Sequence, residues 1–182
     1  MSTTTRLYSI DDLMAMPTDQ PWELWEGELQ KVPGAGGKVS ELAGLIYVLL
    51  WHFVKPRNLG MLTTADGSYI LSHDPPTVVV PDVAFVSWAS MPAGAPADGY
   101  IPVRPDLAVE VRSPSERPGG INAKLARYRH AGVPLVWWVD PKRRTVRVYR
   151  HGELAAELGD GEVLDGEDVL PGFTLPVSDL FN

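Results

Sequence analysis

The sequence predicts an α/β (α+β) fold, a mixed central sheet flanked by helices, with an extra hairpin at the N-terminal end and extra strands at the C-terminal end. Three observations lead there. The element signals run helix, several strands, helix, strands. The stretch from strand 106–112 through helix 120–131 to strand 134–139 reads as a βαβ crossover, which makes those two strands parallel. Finally, 182 residues with no internal repeat and no linker suit a single domain, 1–182, long enough to bury a real core.

Each element has its own warrant. Ser9-Ile10-Asp11-Asp12 is a capping box that opens a short helix stopping at Pro17. WELWEGELQKV then alternates around Glu26-Gly27 as a hairpin, despite its load of acids. The loop PGAGGK leads into a helix from about Val39 to Val54, with Val39, Leu42, Ile46, Leu49, Leu50 and Phe53 on its buried stripe and Pro56 ending it. MLTTADGSYILS gives two short strands or one strand bent at Asp66-Gly67, and TVVVPDVAFV, 77–86, reads as one strand. MPAGAPADGYIP is a Pro/Gly loop. After the strand DLAVEVR come a Ser-Pro-Ser turn and the helix INAKLARYRHAG, closed by Gly132. PLVWWVD turns at Asp140-Pro-Lys-Arg into TVRVYR, and weaker strands with LPGFTLPVSDLF finish the chain.

Composition removes several classes of function. With no cysteine, disulfides, thiolate zinc sites and thiol catalysis are excluded. The longest apolar run, LAGLIYVLLWHFV, reads as too short to cross a bilayer, and MSTTTRLYSIDD has no signal-peptide core, so a cytoplasmic protein with no membrane partner is expected. The net charge of −7 argues against a nucleic-acid partner, but its distribution argues for one. From Arg117 to Arg150 nine basic residues face one acid, a net of +8, which leaves −15 for the rest. Segment 151–182 has eight acids and no Lys or Arg. That asymmetry points to an anionic partner for the basic third, or else to a solvated helix face and a charged hairpin.

The chemistry starts from two acids among aliphatics. Val80, Asp82 and Ala84 share one strand face, and Ala108, Glu110 and Arg112 share another, so both acids are expected in strand interiors. An unpaired buried carboxylate costs several kcal/mol, and two facing each other repel unless a cation lies between them. A divalent metal is the economical cation, since Mg²⁺ takes one or two carboxylates and completes its shell with water and phosphate oxygens. On the following helix, Ile121, Lys124, Leu125 and Tyr128 have the spacing of a core-facing stripe, so Lys124 could reach the carboxylates. The same spacing also fits a snorkelling lysine.

VVVPDVAFV, RPDLAVEVRSPSE and KLARYRHAGVPLVWWVDPKRRTVRVYR together resemble the Uma-type family of endonucleases, a branch of the PD-(D/E)XK restriction-endonuclease-like superfamily. The likeness extends to WELWEGEL at one end and LPGFTLPVSDLF at the other. It implies a restriction-endonuclease-like core and a metal-dependent phosphodiesterase site made of Asp82, Glu110 and Lys124, the lysine having moved from two residues after the acid onto the helix. Arg112 stands where the superfamily's own lysine would be, GKVSELAG lacks a histidine relatives often have, and ERPGGINAK has glycines where relatives often carry an acid.

On this reading Asp82, Glu110 and the Val111 carbonyl hold Mg²⁺, or Mn²⁺, against a scissile phosphate, while Lys124 positions the attacking water or offsets charge on the phosphate. Arg112 is a second candidate for that cation's role. Arg127, Lys142, Arg143, Arg144 and Arg147 would hold the flanking phosphates of DNA. The expected function is a Mg²⁺-dependent endonuclease acting as a homodimer; the alternative is a nuclease-fold module that binds nucleic acid or protein without cleaving. In such a dimer the acidic 151–182 segment would face the other subunit's basic third. The remaining candidates carry less. His52, His73, His130 and His151 lack metal-ligand spacing. Glu41 reads as a solvated helix acid unless its helix faces the cleft, Glu23 and Glu28 as hairpin surface, and Trp137-Trp138 as core. No GK[ST] pattern follows Gly34, Gly36 and Gly37, so they are not a phosphate loop.

Overall fold

The computed structural model describes residues 6–17, 21–32, 34–92, 99–114 and 118–182. Arg117, part of the Ser-Pro-Ser turn and the middle of the Pro/Gly loop lie outside these. Along the chain come α1 (Ile10–Met14), β1 (Trp22–Trp25), β2 (Glu28–Lys31), α2 (Gly37–Val54), β3 (Gly60–Thr64), β4 (Tyr69–His73), β5 (Pro76–Val79) and β6 (Val83–Ser87). Then follow β7 (Leu107–Val111), α3 (Pro118–His130), β8 (Leu135–Asp140), β9 (Thr145–Arg150), β10 (Glu153–Leu158), β11 (Val163–Asp165), β12 (Thr174–Pro176) and a 3-10 turn, Val177–Leu180.

A six-stranded sheet in the order β10-β9-β8-β7-β6-β3 forms the centre. Its β7–β8 pair is parallel, with α3 as the crossover, and the other neighbours are antiparallel. A four-stranded sheet, β2-β1-β5-β4, stands beside it, and β11 pairs with β12. The expected capping box is present: Asp12 N–H donates to Ser9 Oγ and Ser9 N–H to Asp12 Oδ2. Glu26 and Gly27, both at positive φ, make the two-residue turn of the β1–β2 hairpin. Gly132, at φ 66°, ends α3 in a Schellman motif, with Val133 N–H donating to Tyr128 O and Gly132 N–H to Arg129 O.

Alternation along the central strands builds two cores. Val83, Phe85, Leu107, Val109, Leu135 and Trp137 point to one face, under α2 and the C-terminal segment carrying Leu170, Phe173 and Val177. Ala84, Val86, Ala108 and Val136 point to the other, against Tyr128 of α3 and Tyr69 and Val79 of the small sheet. Trp137 and Trp138 are both buried, as core residues. On α2 the buried stripe is Val39, Leu42, Ile46, Leu50 and Val54, with Leu49 and Phe53 partly covered. Contrary to the expectation from the sequence, this 18-residue helix is long and apolar enough to cross a membrane by length and composition; its buried stripe makes it a core helix of this domain.

Two further expectations need correction. Segment 77–86 is not one strand: β5 belongs to the small sheet, β6 to the large one, and Pro81-Asp82 is the break between them. Proline has no N–H to continue a ladder, so the chain changes sheets there, just as β3 and β4 do across Asp66-Gly67. Asp82 therefore sits at a sheet junction and not in a strand interior. The acidic segment meets the basic third of its own chain, so these opposite charges do not by themselves call for a second copy. Arg129 pairs with Glu153 (2.8 Å), Arg144 with Asp160 (2.9 Å), Arg147 with Glu157 (2.7 Å) and Arg150 with Glu167 (2.5 Å). The β9–β10 hairpin and the following turns bring those partners together.

Candidate active site

The site lies where β7, the Pro81-Asp82 break, α3 and β1 meet. Glu110 occupies the α3-facing side of β7, next to Ala108, with Trp138 beside it on β8. Lys124 and Tyr128 are one turn apart on α3 and both descend onto Glu110 Oε1: Lys124 Nζ at 2.8 Å and the Tyr128 hydroxyl at 2.5 Å. Asp82 turns its Oδ2 to the Val111 N–H, 2.7 Å away. The sequence-derived triad of Asp82, Glu110 and Lys124 thus shares one small region, and Lys124 is not snorkelling: its side chain is only 12% exposed.

Glu23 completes the cluster, and the expectation that it is a surface residue is wrong. It is 3% exposed and accepts from Lys124 Nζ (2.9 Å), Val80 N–H (2.8 Å) and Trp25 Nε1 (2.8 Å). A signal for this was available. Trp22 and Leu24 on one face of β1 with Trp25 on the other mark a strand covered on both sides, so an acid between them is buried. Tyr128 was legible as core from its helical spacing, but its bond to Glu110 was not.

Electrostatics follow from three carboxylates around one ammonium, a formal −2 with every group ionised. Burial pushes the Glu110 carboxyl up to about 8; Lys124 opposes the shift, while Asp82 and Glu23 add to it. Burial also raises Asp82, against the Val111 N–H and the Lys124 charge. Burial alone would lower Lys124, but Glu110 and Glu23 outweigh it, and the lysine is held firmly protonated. Tyr128, buried against these acids, keeps its proton too.

A stability consequence follows. The folded value of Glu110 lies above its ordinary 4.5, so between about pH 4.5 and 8 the folded state holds a proton that the unfolded chain has released. Stability therefore falls as pH rises through that window, by a few kcal/mol at most. In EDTA, the melting temperature of the protein should drop relative to that of a Glu110→Gln variant as pH goes from about 5 to about 9. Parallel curves would mean that Glu110 is ionised throughout.

The donor set suits a hard cation. Asp82 Oδ1 and Glu110 Oε2 accept no hydrogen bond from the described residues, and every side-chain donor here is oxygen. Among the described residues no three His, Cys, Asp or Glu side chains form a ready cage. That leaves the sparse protein shell of one or two carboxylates that Mg²⁺ commonly uses. Val111 contributes its N–H to Asp82, which fixes the direction of that carboxylate.

The other cations go elsewhere. Arg112 NH1 binds Asp140 Oδ2 at 2.6 Å, tying the ends of β7 and β8 together, and does not contact Glu110. Arg127 lies over the Trp25 ring (4.2 Å) and pairs with Glu26 (3.3 Å), clamping α3 to the hairpin. Asp140 Oδ1 accepts the backbone N–H groups of Lys142 and Arg143, leaving those two side chains exposed and, among the described residues, without an ion pair. Their turn follows β8, at the same end of the parallel pair as Glu110 and Val111.

Comparison with known proteins bears on the family and the fold. The family model Uma2, described as "Putative restriction endonuclease", matches residues 10–178. Among solved structures, the fold is similar to a crystal structure of "a putative nuclease belonging to DUF820 from Anabaena variabilis ATCC 29413". The TM-score is 0.80 and the identity 21%, over 95% of this chain and 97% of that one. No curated protein matches the chain.

Proposed function

The chain belongs to the Uma2 family of restriction-endonuclease-like nucleases, and from that premise we propose that it is a Mg²⁺-dependent endonuclease hydrolysing phosphodiester bonds of DNA. One observation carries the proposal: Asp82 Oδ1 and Glu110 Oε2 accept no hydrogen bond from the described residues and lie beside an ammonium held protonated, in a cluster that is formally −2 when every group is ionised. Asp82 and Glu110, with the Val111 carbonyl, would hold Mg²⁺ or Mn²⁺. When bound, the metal supplies Lewis acidity towards a phosphoryl oxygen and lowers the pKa of a water.

The rest is the work of the chain's own residues. Lys124, whose three N–H groups go to Glu23, Glu110 and the Val80 carbonyl and which is kept protonated, offers positive charge to a nearby phosphate, so it serves as an electrostatic group and not as a base. Tyr128 holds the Glu110 carboxyl in one orientation. Lys142 and Arg143, exposed and without an ion pair among the described residues, can meet flanking phosphates. Arg147, in a half-exposed pair of small energetic worth, can exchange its carboxylate for phosphate oxygens, whereas Arg144 is tied as well to the Phe181 carbonyl and ring.

A second reading, a nuclease fold that binds without cleaving, draws on Lys124 bridging Glu23 and Glu110, which neutralises part of the site without a metal. Incubation with supercoiled DNA, single-stranded DNA and RNA in Mg²⁺, Mn²⁺ or EDTA separates the two. The proposal expects DNA cleavage that EDTA stops. No cleavage under any condition favours the second reading, and cleavage of RNA alone overturns the DNA assignment.

A further inference from the structure

A cavity of about 390 Å³ lies between α1, the start of β1 and the β3–β4 turn, and three of its lining residues tie it to the carboxylate cluster. Val80 donates its backbone N–H to Glu23 and accepts from Lys124 at its carbonyl. Trp22 precedes Glu23 on β1. Ala65 follows Thr64, whose ladder partner Val83 follows Asp82, so Ala65 and Asp82 leave the β3–β6 pair at the same end. The cavity and the candidate metal site are therefore neighbours across the segment Val80-Pro81-Asp82.

The lining suits an uncharged aromatic group. Trp22 and Tyr100 are partly buried against Leu13, Leu24 and Val78, so packing holds both rings in place. Among the described residues neither the Trp22 indole N–H nor the Tyr100 hydroxyl has a hydrogen-bond partner. The described lining residues include no lysine or arginine, and Asp66 adds a carboxylate. A phosphate is thus repelled from the cavity. A planar ring with polar edges is not: it gains aromatic rings to lie against and, in Asp66 and Ser68, partners for its N–H and acceptor atoms.

We propose that this cavity receives an unstacked base of the DNA strand whose phosphate lies at Asp82 and Glu110. The inference rests on the nuclease reading and narrows its substrate class to single-stranded or locally unpaired DNA. The occupant is a base because the base is the uncharged, aromatic part of the molecule whose phosphodiester the neighbouring carboxylates would meet through a metal. The cavity is of the size that takes a small ligand and not a helix of paired bases. In a duplex each base is stacked and paired and must be extruded before it can enter, at a cost that is least where the strand is already single or mismatched. Stacking on Trp22 and Tyr100 also tolerates any base, since every base has a π-face.

Fluorescence anisotropy of a labelled single-stranded oligonucleotide and of its blunt duplex, both in EDTA, tests this on the full chain without metal or cleavage. The wild type should bind the single strand more tightly than the duplex. Trp22→Leu and Tyr100→Leu keep apolar bulk against Leu13 and Leu24 but lose the ring. Each should weaken single-strand binding about 5–150-fold and leave duplex binding as it was, with an unchanged circular dichroism spectrum. Trp22→Phe, which restores a ring, should recover most of the loss. A single strand bound no better than the duplex overturns the proposal, as does binding indifferent to both leucine variants, even where Mg²⁺-dependent cleavage is found. Ring-dependent binding of the single strand with no cleavage in any metal supports the base site and counts against the nuclease reading alone.

Discussion

Asp82→Ala and Glu110→Ala should each lose the proposed metal-dependent cleavage, by more than the ~10–100-fold typical of residues that only support a metal ligand. Both variants stay folded. Removing Glu110 leaves Lys124 its bond to Glu23, and removing Asp82 frees one N–H, on Val111. Without metal, either variant is relieved of a buried repulsion, since each carboxylate raises the cost of ionising its neighbours. Arg112→Ala is the contrast. Its guanidinium serves Asp140 and not the acids, so cleavage should change by less than about tenfold, an effect through the β7–β8 ends and not through the metal. Initial rates of plasmid nicking at saturating Mg²⁺, with circular dichroism for folding, measure all three. A dead Arg112→Ala beside an active Asp82→Ala would move the site to the other end of that ion pair.

The second large effect concerns Lys124. Its ammonium is the shared partner of two buried carboxylates, so Lys124→Met strands both. Breaking a buried pair by removing one partner costs about 3–5 kcal/mol. The penalty grows with pH, because below about 8 the Glu110 carboxyl can escape by keeping a proton. Urea denaturation in EDTA should therefore show a larger loss at about pH 9 than at about pH 6. Adding Glu110→Gln should recover much of that stability while cleavage stays absent. This separates the lysine's structural pairing from its place beside the phosphate. An unchanged stability in Lys124→Met would mean that the ammonium is solvated and the network is not a unit.

Most of the architecture was legible because periodicity and turn chemistry are local. The Ser9 capping box, the Glu26-Gly27 hairpin, the βαβ step and the Gly132 cap all stand as read. The junction between two sheets was not, because TVVVPDVAFV has an unbroken apolar pattern and only Pro81 hints at the break. The burial of Glu110 was legible as a charge placed among aliphatics, while its grouping with Asp82 and Lys124 came from the family resemblance. The burial of Glu23 was signalled by the apolar residues around it, but its pairing with Lys124 was not, because α3 lies far along the chain. Neutralisation of Arg144, Arg147 and Arg150 by the following hairpin and turns was not legible either, being a tertiary event that a count along the chain cannot see.

The central claim is that Asp82 and Glu110 form a divalent-metal site, and calorimetric titration with Mg²⁺ and Mn²⁺ tests it without reference to any substrate. The account predicts saturable binding by the wild type that weakens as pH falls below about 8, where Glu110 takes up its proton, and that disappears in Asp82→Ala. Equal heats from the wild type and Asp82→Ala, or no binding of either ion at a pH above that value, would contradict it.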